Sequence, residues 1–194
     1  LFGNFLIGLE YIFNQSGPMT MGASQVCGFL KSDPSRATPN LQFHVQPIST
    51  DILGATKMHN FDGITPTIAN VRPTSRGEIN IVSNDSRDNP KIKMNYLSTQ
   101  DDREVAAKSL KIVRKIMLES KTFKKYQPEE YRPGVHITDD KELVKAGSEH
   151  TQTIFHPVGT CKMGSGDDSV VDSNLKVRGI ENLRVIDASI MPNI

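Results

Sequence analysis

Three short segments of this chain alternate between apolar and polar residues, and this pattern limits what the chain can fold into. They are residues 41–46, 78–82 and 91–96. Because successive side chains of a β-strand point to opposite faces of a sheet, each segment is expected to form a strand with one buried face. In the first segment that face carries Leu41, Phe43 and Val45. Residues 68–71 precede a turn at residues 73–77, so a hairpin with the second segment is expected.

Elsewhere the apolar pattern has a helical period. A first helix, packed by its apolar face, is predicted by the stripe of Phe2, Leu6, Leu9 and Phe13. A second helix is expected from Ser98, which forms a capping-box-like start with Asp101, to about Ser120. Residues 139–147 predict a short helix, and residues 50–65 predict a long surface loop. Strands that follow one another, with helices segregated between them, predict an α+β fold: a mainly antiparallel sheet flanked by helices, in one domain.

Composition and charge exclude several classes of protein. Lys and Arg number 23 against 22 Asp and Glu, a net charge of +1 without long runs of like charge, which argues against nucleic-acid binding. The two cysteines, Cys27 and Cys161, match no metal-binding spacing and are expected to be free thiols, which excludes disulfide scaffolds and zinc fingers. The apolar residues 1–13 are too few to span a bilayer and lack the basic flank of a signal peptide.

The histidines are the first place to look for a general base, because their ordinary pKa lies near neutrality. Plain surface or loop roles are expected for His59, His136 and His150. His44 falls on the polar side of a predicted strand, which by itself favours a solvated position. His156 stands out because Pro157 restricts its backbone and Gly159 permits a close backbone approach. No nucleophile elbow, phosphate loop or His-x-x-x-His metal pair occurs, so no metal site is predicted and the residue patterns alone leave the function open.

The C-terminal region carries a longer signature, made of several motifs in fixed order. The motifs are His156-Pro157-Val158-Gly159-Thr160-Cys161-Lys162-Met163-Gly164, Val170-Val171-Asp172, Leu175-Lys176-Val177-Arg178-Gly179 and Leu183-Arg184-Val185-Ile186-Asp187-Ala188-Ser189-Ile190-Met191-Pro192. Together they resemble the C-terminal signature of the glucose-methanol-choline (GMC) oxidoreductases, flavoenzymes that oxidise alcohols with FAD. Residues 73–79 and 90–97 also resemble strands of the family's substrate-binding domain. Within the family, the motif that begins at His156 is most similar to that of choline dehydrogenase-like members.

This resemblance implies roles for four residues. The family's catalytic histidine opens the first motif, so His156 is expected to take up the alcohol proton or to pair with the alkoxide while hydride moves to flavin N5. Asp187 and Ala188 match the stretch whose backbone lies against the ribityl and pyrophosphate of FAD. His44 matches a strand position that faces the substrate cavity in choline-oxidising relatives.

Two departures from the family pattern limit what the chain is expected to do alone. The FAD-binding fingerprint Gly-x-Gly-x-x-Gly is missing from the sequence, and the family's second active-site residue, a His or Asn, is expected a few positions past Ile194. Residues 1–194 are therefore expected to be a C-terminal substrate-binding domain that caps a flavin held by the FAD-binding half of the same polypeptide. The chain alone is expected to be inactive and not to retain FAD.

Two alternatives remain at this stage. One is an alcohol or sugar oxidase of the same family instead of a choline dehydrogenase-like enzyme. The other is a non-catalytic binding module that kept the fold without the nucleotide half. The expected location is cytoplasmic, with membrane association of the full-length enzyme left open.

Overall fold

The computed structural model of the chain describes residues 2–22, 24–51 and 58–194. Its helices are α1 Phe2–Asn14, α2 Gln100–Arg114, α3 Lys121–Lys124 and α4 Asp140–Ser148. Its strands are β1 Val26–Leu30, β2 Leu41–Gln46, β3 Thr65–Asn70, β4 Glu78–Asn80 and β5 Lys91–Lys93. Short 3-10 turns lie at Pro18–Thr20 and Ala188–Ile190, and a π-helical turn at Lys115–Glu119 follows α2. The α+β class with antiparallel strands is confirmed.

The main sheet is antiparallel, with β2 between β1 and β3. Its buried face follows the predicted alternation, since Leu41 is fully buried, Phe43 is buried and Val45 is half-buried. The opposite face of β2 carries His44. Val105 of α2 and Leu143 of α4 are also fully buried, because the two helices pack on each other and α2 packs against β3.

The predicted hairpin between residues 68–71 and 78–82 is wrong. Strand β3 pairs with β2, where Ile68 lies opposite Phe43, and β4 pairs with β5 in a separate two-stranded sheet. The reason is that the turn between β3 and β4 is held at the start of α2 by hydrogen bonds, described below, instead of folding back as a tight hairpin loop. Both β4 and β5 are also shorter than predicted.

The helix predictions are confirmed, with a shift at one start. The N-cap of α2 is Thr99, not Ser98: the Thr99 hydroxyl accepts a hydrogen bond from the Asp102 amide at 3.3 Å. The predicted end near Ser120 is reached through the π-helical turn, in which Met117 is buried. Helix α4 begins after Asp139, whose carboxylate caps it.

Helix α1 forms as predicted, but its apolar side is not packed within the described residues. Leu6 is 49% exposed and Phe13 is 78% exposed, and the helix makes its main contacts with the neighbouring turn Pro18–Thr20. An apolar stripe predicts burial without saying against what, and no other described element covers this one. The expectation of a helix packed by that face is therefore wrong for the described residues of this chain.

The C-terminal forty residues are held together mostly by isolated bridges. Residues 175–177 and 183–186 form single bridges, such as the one between Lys176 and Arg184, with a left-handed Gly179 (φ +79°) in the connection. Part of the loop predicted at 50–65, residues 52–57, lies outside the described residues, and regular structure resumes at β3. Cys27 and Cys161 are free thiols. Among the described residues, none of the helices has the length and apolar character needed to cross a bilayer.

Candidate active-site loop and its supports

The loop that begins at His156 is fastened to the C-terminal 3-10 turn by backbone hydrogen bonds. The carbonyl oxygen of Ser189 accepts from the amides of Gly159 at 3.1 Å and Cys161 at 3.0 Å. The amide of Met163 donates to the Ile190 carbonyl at 2.8 Å. The structure thereby joins the loop of the predicted catalytic histidine to the segment of Asp187 and Ala188, which lies about thirty residues further along the chain.

Glycine is required at position 159 by backbone conformation. Its φ is +88°, a left-handed value that side chains disfavour, while an added Cβ would make only ordinary contacts, the nearest at 3.5 Å from the Met191 carbonyl oxygen. The imidazole of His156 is exposed, and the preceding Phe155 is 74% exposed. The start of the loop is thus open to a ligand or to another polypeptide surface.

Asp187 begins the 3-10 turn that supports this loop. Its carboxylate accepts a hydrogen bond from the Ser189 amide at 2.8 Å. Hydrogen bonds from the Ser189 hydroxyl and amide lower the pKa of the Asp187 carboxyl, so it is ionised at neutral pH. The neighbouring Ala188 is exposed and Ile186 is 76% exposed. These residues are open to contact from outside the chain, while the carbonyls of Asp187 and Ala188 accept hydrogen bonds from the Ile190 and Met191 amides within the 3-10 turn.

His44 lies in the middle of β2, opposite Cys27 of β1 and Thr67 of β3. It is half-buried, and by strand alternation it shares a face with Gln46. Gln46 is buried, and its Oε1 has no hydrogen-bond partner among the described residues. In the described part of the chain, hydrogen bonds do not join the His44 side chain to the His156 loop, so the two predicted residues stand on separate elements.

His59 lies outside the helices and strands, as a loop role predicts, but its side chain has several partners. Its side chain is only 19% exposed, with Nδ1 2.9 Å from the Ser49 hydroxyl and Nε2 3.3 Å from an Asp51 oxygen. The imidazole stacks on Phe61 and meets the edge of Tyr131, each at 5.0 Å between ring centroids. We call this group the His59 cluster. His136 and His150 are exposed, as expected.

A buried carboxylate that sequence reasoning did not single out organises the segment between β3 and β4. Asp102 is 5% exposed and accepts from the amides of Thr74 at 2.9 Å and Ser75 at 2.8 Å. It also accepts from the Thr74 hydroxyl at 3.1 Å and the Asn70 side chain at 3.3 Å. Burial raises the pKa of Asp102, but the hydrogen bonds donated by Ser75 and Thr74 outweigh it and hold the pKa below its ordinary value.

Asp102 could have been suspected from the pattern at the helix start. Thr99 followed by two acidic residues in the first turn is a common N-terminal sequence, and capping alone explains it. The pattern does not show that the Asp102 carboxylate is buried and binds the amides of Thr74 and Ser75, nearly thirty residues earlier. No group of three or more metal-ligating side chains is found within residues 2–22, 24–51 and 58–194.

Comparison with known protein families agrees with this arrangement. The C-terminal family model of the GMC oxidoreductases matches residues 73–194, more than half of the chain. The chain therefore belongs to the GMC oxidoreductase family, and the resemblance seen in the motifs from His156 onward is confirmed.

The chain is similar in sequence to curated relatives, two of which illustrate the match. It is 42% identical to an alcohol dehydrogenase (acceptor) of Pseudomonas putida and 40% identical to an oxygen-dependent choline dehydrogenase of Proteus mirabilis. Each match covers 97% of this chain and 34% of the relative. The chain thus spans about a third of the length of the relatives it matches.

Solved structures share the fold. Pyridoxine 4-oxidase from Mesorbium loti superposes with a TM-score of 0.77 at 28% identity, over 89% of this chain and 34% of that one. A formate oxidase variant from Aspergillus oryzae RIB40, solved for its effect on FAD modification, gives a TM-score of 0.85 at 25% identity, over 98% and 38% of the two chains.

The chain leaves residues 186–188 open to contact, but its sequence lacks the elements of a pyrophosphate site. Asp187 and Ala188 are exposed, and the apolar Ile186 beside them is open to contact. A pyrophosphate needs several backbone amides at the start of a helix that follows a Gly-rich turn. The sequence has no such turn, so the main anion site that FAD needs is not among these residues.

Proposed function

We propose that residues 1–194 are the substrate-binding, flavin-capping domain of an FAD-dependent alcohol oxidoreductase, with His156 as the base. In this proposal the FAD-binding half belongs to the same polypeptide, in keeping with relatives that are about three times as long. The observation that carries the proposal is the pair of hydrogen bonds to the Ser189 carbonyl, because they fix the His156 loop beside the Asp187 and Ala188 backbone.

The chemistry asked of His156 is limited and suits an imidazole. An alcohol gives up hydride readily only when its proton is removed or its alkoxide is stabilised, and a histidine can do either near neutral pH. When bound, FAD accepts the hydride. The exposed His156 ring starts a loop whose later part is tied down at Gly159, Cys161 and Met163, so the backbone that presents the ring is anchored close by.

Exposed apolar side chains support a contact with the FAD-binding half. Phe155 and Ile186 flank the candidate site, and Ile12 and Phe13 of α1 are 70% and 78% exposed. A lone protein surface seldom leaves so many large apolar side chains uncovered, whereas surfaces between domains do. This exposure fits a domain that is completed by a second one.

For the substrate, we propose a choline-like or other small alcohol. The alcohol dehydrogenase and choline dehydrogenase relatives favour this class, and His44 would face the substrate from β2. A trimethylammonium group would need an aromatic or carboxylate cage, part of which the FAD-binding half would supply. An oxidase acting on alcohols or sugars is the second candidate, since the solved structures of this fold include oxidases.

Anaerobic stopped-flow reduction of the complete, FAD-loaded protein tests the proposal. Choline, short aliphatic alcohols, aryl alcohols and sugars would be mixed with the protein, and the flavin absorbance followed. We expect rapid bleaching with at least one alcohol, and reoxidation by oxygen or by an artificial acceptor then separates oxidase from dehydrogenase. A complete protein that lacks the Gly-rich FAD-binding unit would instead support the non-catalytic binding module.

A further inference from the structure

Two arginines connect the turn held by Asp102 to the C-terminal segment. The Nη1 of Arg76 donates to the carbonyls of Pro73 at 2.9 Å and Ser75 at 3.0 Å, so its own turn fixes the guanidinium. Its Nη2 reaches the side-chain oxygen of Asn193 at 3.4 Å. Arg72 donates to the carbonyl oxygen of Ile194.

The segment held by these arginines is the one that carries the His156 loop. Only Met191 and Pro192 lie between Ile190, which accepts from the Met163 amide, and Asn193, which Arg76 contacts. So short a stretch extends over roughly 10 Å at most. A displacement of Asn193 is therefore transmitted to the turn at Ser189 and to the loop it supports.

Hydrogen bonds also connect the turn that bears Arg76 to the interior of the domain. Asp102 fixes the amides of Thr74 and Ser75, and the Ser75 hydroxyl accepts from the amides of Ser98 at 3.0 Å and Thr99 at 3.3 Å. The turn that bears Arg76 is thus fastened to the start of α2 and cannot move independently of the core.

We propose that Arg72 and Arg76 are positioning residues for His156. They hold residues 193–194, and through them the Ser189 turn, at a fixed place relative to the Asp102 anchor. This inference rests on the proposed function for its catalytic consequence, although the mechanical link is independent of it. Exposed polar contacts of this kind add little to global stability. Their loss is therefore expected to displace the His156 loop and not to unfold the domain. A misplacement of about 1 Å can lower a rate by about 10²-fold.

Hydrogen exchange tests the mechanical link directly. In the complete protein we expect Arg76→Gln to raise the exchange rates of the Cys161 and Met163 amides about tenfold, because the carbonyls they donate to lose their support. Asn193→Ala removes the same contact from the other side and should reproduce the effect without touching the turn. Arg87→Gln is the matched control, since Arg87 is exposed and pairs with Asp85 in another turn. Unchanged exchange in both Arg76→Gln and Asn193→Ala overturns the proposal.

Kinetics test the catalytic consequence. Arg76→Gln should lower the limiting rate of flavin reduction about tenfold while changing the KM for the alcohol less than about twofold. Arg72→Lys keeps a single donor and should retain most of the rate that Arg72→Gln loses. In a His156→Ala background, Arg76→Gln should cause no further loss, and a fully additive loss overturns the role through His156. If His156→Ala itself reduces normally, the proposed function fails, while the exchange experiment still decides whether the arginines position the loop.

Discussion

The Nε2 atom of His59 lies 3.3 Å from the Oδ2 atom of Asp51. The other oxygen of the same carboxylate is 2.9 Å from Nη1 of Arg132, and Ser49 closes the opposite side of the imidazole. The amide of His59 also donates to the Ser49 carbonyl at 2.9 Å. The His59 cluster therefore fastens the chain that follows β2 to the segment around residue 131.

From this cluster we predict that His59→Ala loosens residues 47–51 and 58–61. The change removes a stacked ring and two polar contacts from a mostly buried position, which is expected to cost about 1–3 kcal/mol of local stability. Hydrogen exchange of the complete protein measures this as faster exchange in those two segments. His136→Ala, at an exposed histidine, serves as the control, and equal exchange in both variants would contradict the role assigned to the cluster.

The Asp102 carboxylate gives a prediction about pH. Its pKa is lower in the folded protein than the ordinary value of 3.8, so its contribution to stability is complete above that value and is lost as pH falls through it toward the folded-state pKa. Asp102→Asn should therefore cost about 1–3 kcal/mol near neutral pH, where an unsatisfied buried donor is left. The difference from the wild type should shrink below about pH 4.

The measurement is urea unfolding of both proteins at pH values from about 3 to 7. Asp167→Asn, at an exposed aspartate, is the control and should show no such convergence. A stability difference that stays constant across the range would show that the Asp102 charge is not what holds the turn.

How far the sequence predicts this fold depends on whether a pattern is local or long-range. Alternation located β2 and its buried Leu41 and Phe43, and helical period located α2 and α4, because those patterns report one face of one element. Pairing was mispredicted: the turn at residues 73–77 suggested a hairpin, since nothing local reveals that its amides bind Asp102. The alternation at residues 78–82 predicts a longer β4 than is found, because its continuation, Ile81, is 88% exposed and lies beyond the β4–β5 pairing, which ends at Asn80.

The candidate site shows the same division between local patterns and long-range contacts. The roles of His156, Asp187 and Ala188 are predictions from resemblance to a family, whereas nothing in residue spacing shows that the Ser189 carbonyl joins their two segments. The partners of His59 come from both sides of it in the sequence, Ser49 and Asp51 before it and Tyr131 far after it, so its sequence context does not predict them. Contacts assembled from distant segments leave no periodic trace in the sequence, so they could be identified only in the folded chain.

Gly77 lies in the turn at residues 73–77, which Asp102 holds. It permits a close backbone approach there, so its substitution gives a testable prediction. A Cβ added at Gly77 would lie 2.3 Å from the Lys93 carbonyl oxygen and 2.7 Å from that of Met94. Both are backbone atoms, so β4 and β5 would have to separate, at a cost of about 1–3 kcal/mol. Gly28→Ala in β1 is the matched control, because its Cβ would meet nothing within 4 Å.

Thermal unfolding of the two variants checks this. We expect Gly77→Ala to lower the Tm by several degrees and Gly28→Ala to change it little. Equal Tm values for Gly77→Ala and the wild type would mean that the β4–β5 sheet yields without cost.

A further prediction concerns the chain by itself. Purified as 194 residues, it is expected to be colourless, because the amide-rich site for a pyrophosphate is not in its sequence and the contacts proposed for Asp187 and Ala188 reach only one edge of FAD. Gel filtration after incubation with FAD, followed by the visible absorbance of the protein peak, measures retention. Stoichiometric flavin in that peak would show that the chain holds a complete cofactor site.

The final prediction concerns His156 in the complete protein. His156→Ala should leave FAD bound and lower the rate of flavin reduction by the alcohol about 10²- to 10⁴-fold, the usual contribution of a positioned acid–base group. FAD content should persist because the Ser189 carbonyl binds the loop through the backbone of Gly159 and Cys161, which the substitution leaves intact. His150→Ala and His136→Ala, at exposed histidines outside the loop, should reduce within about threefold of the wild type. Anaerobic stopped-flow measures all three, and near-normal reduction in His156→Ala would remove it as the catalytic base.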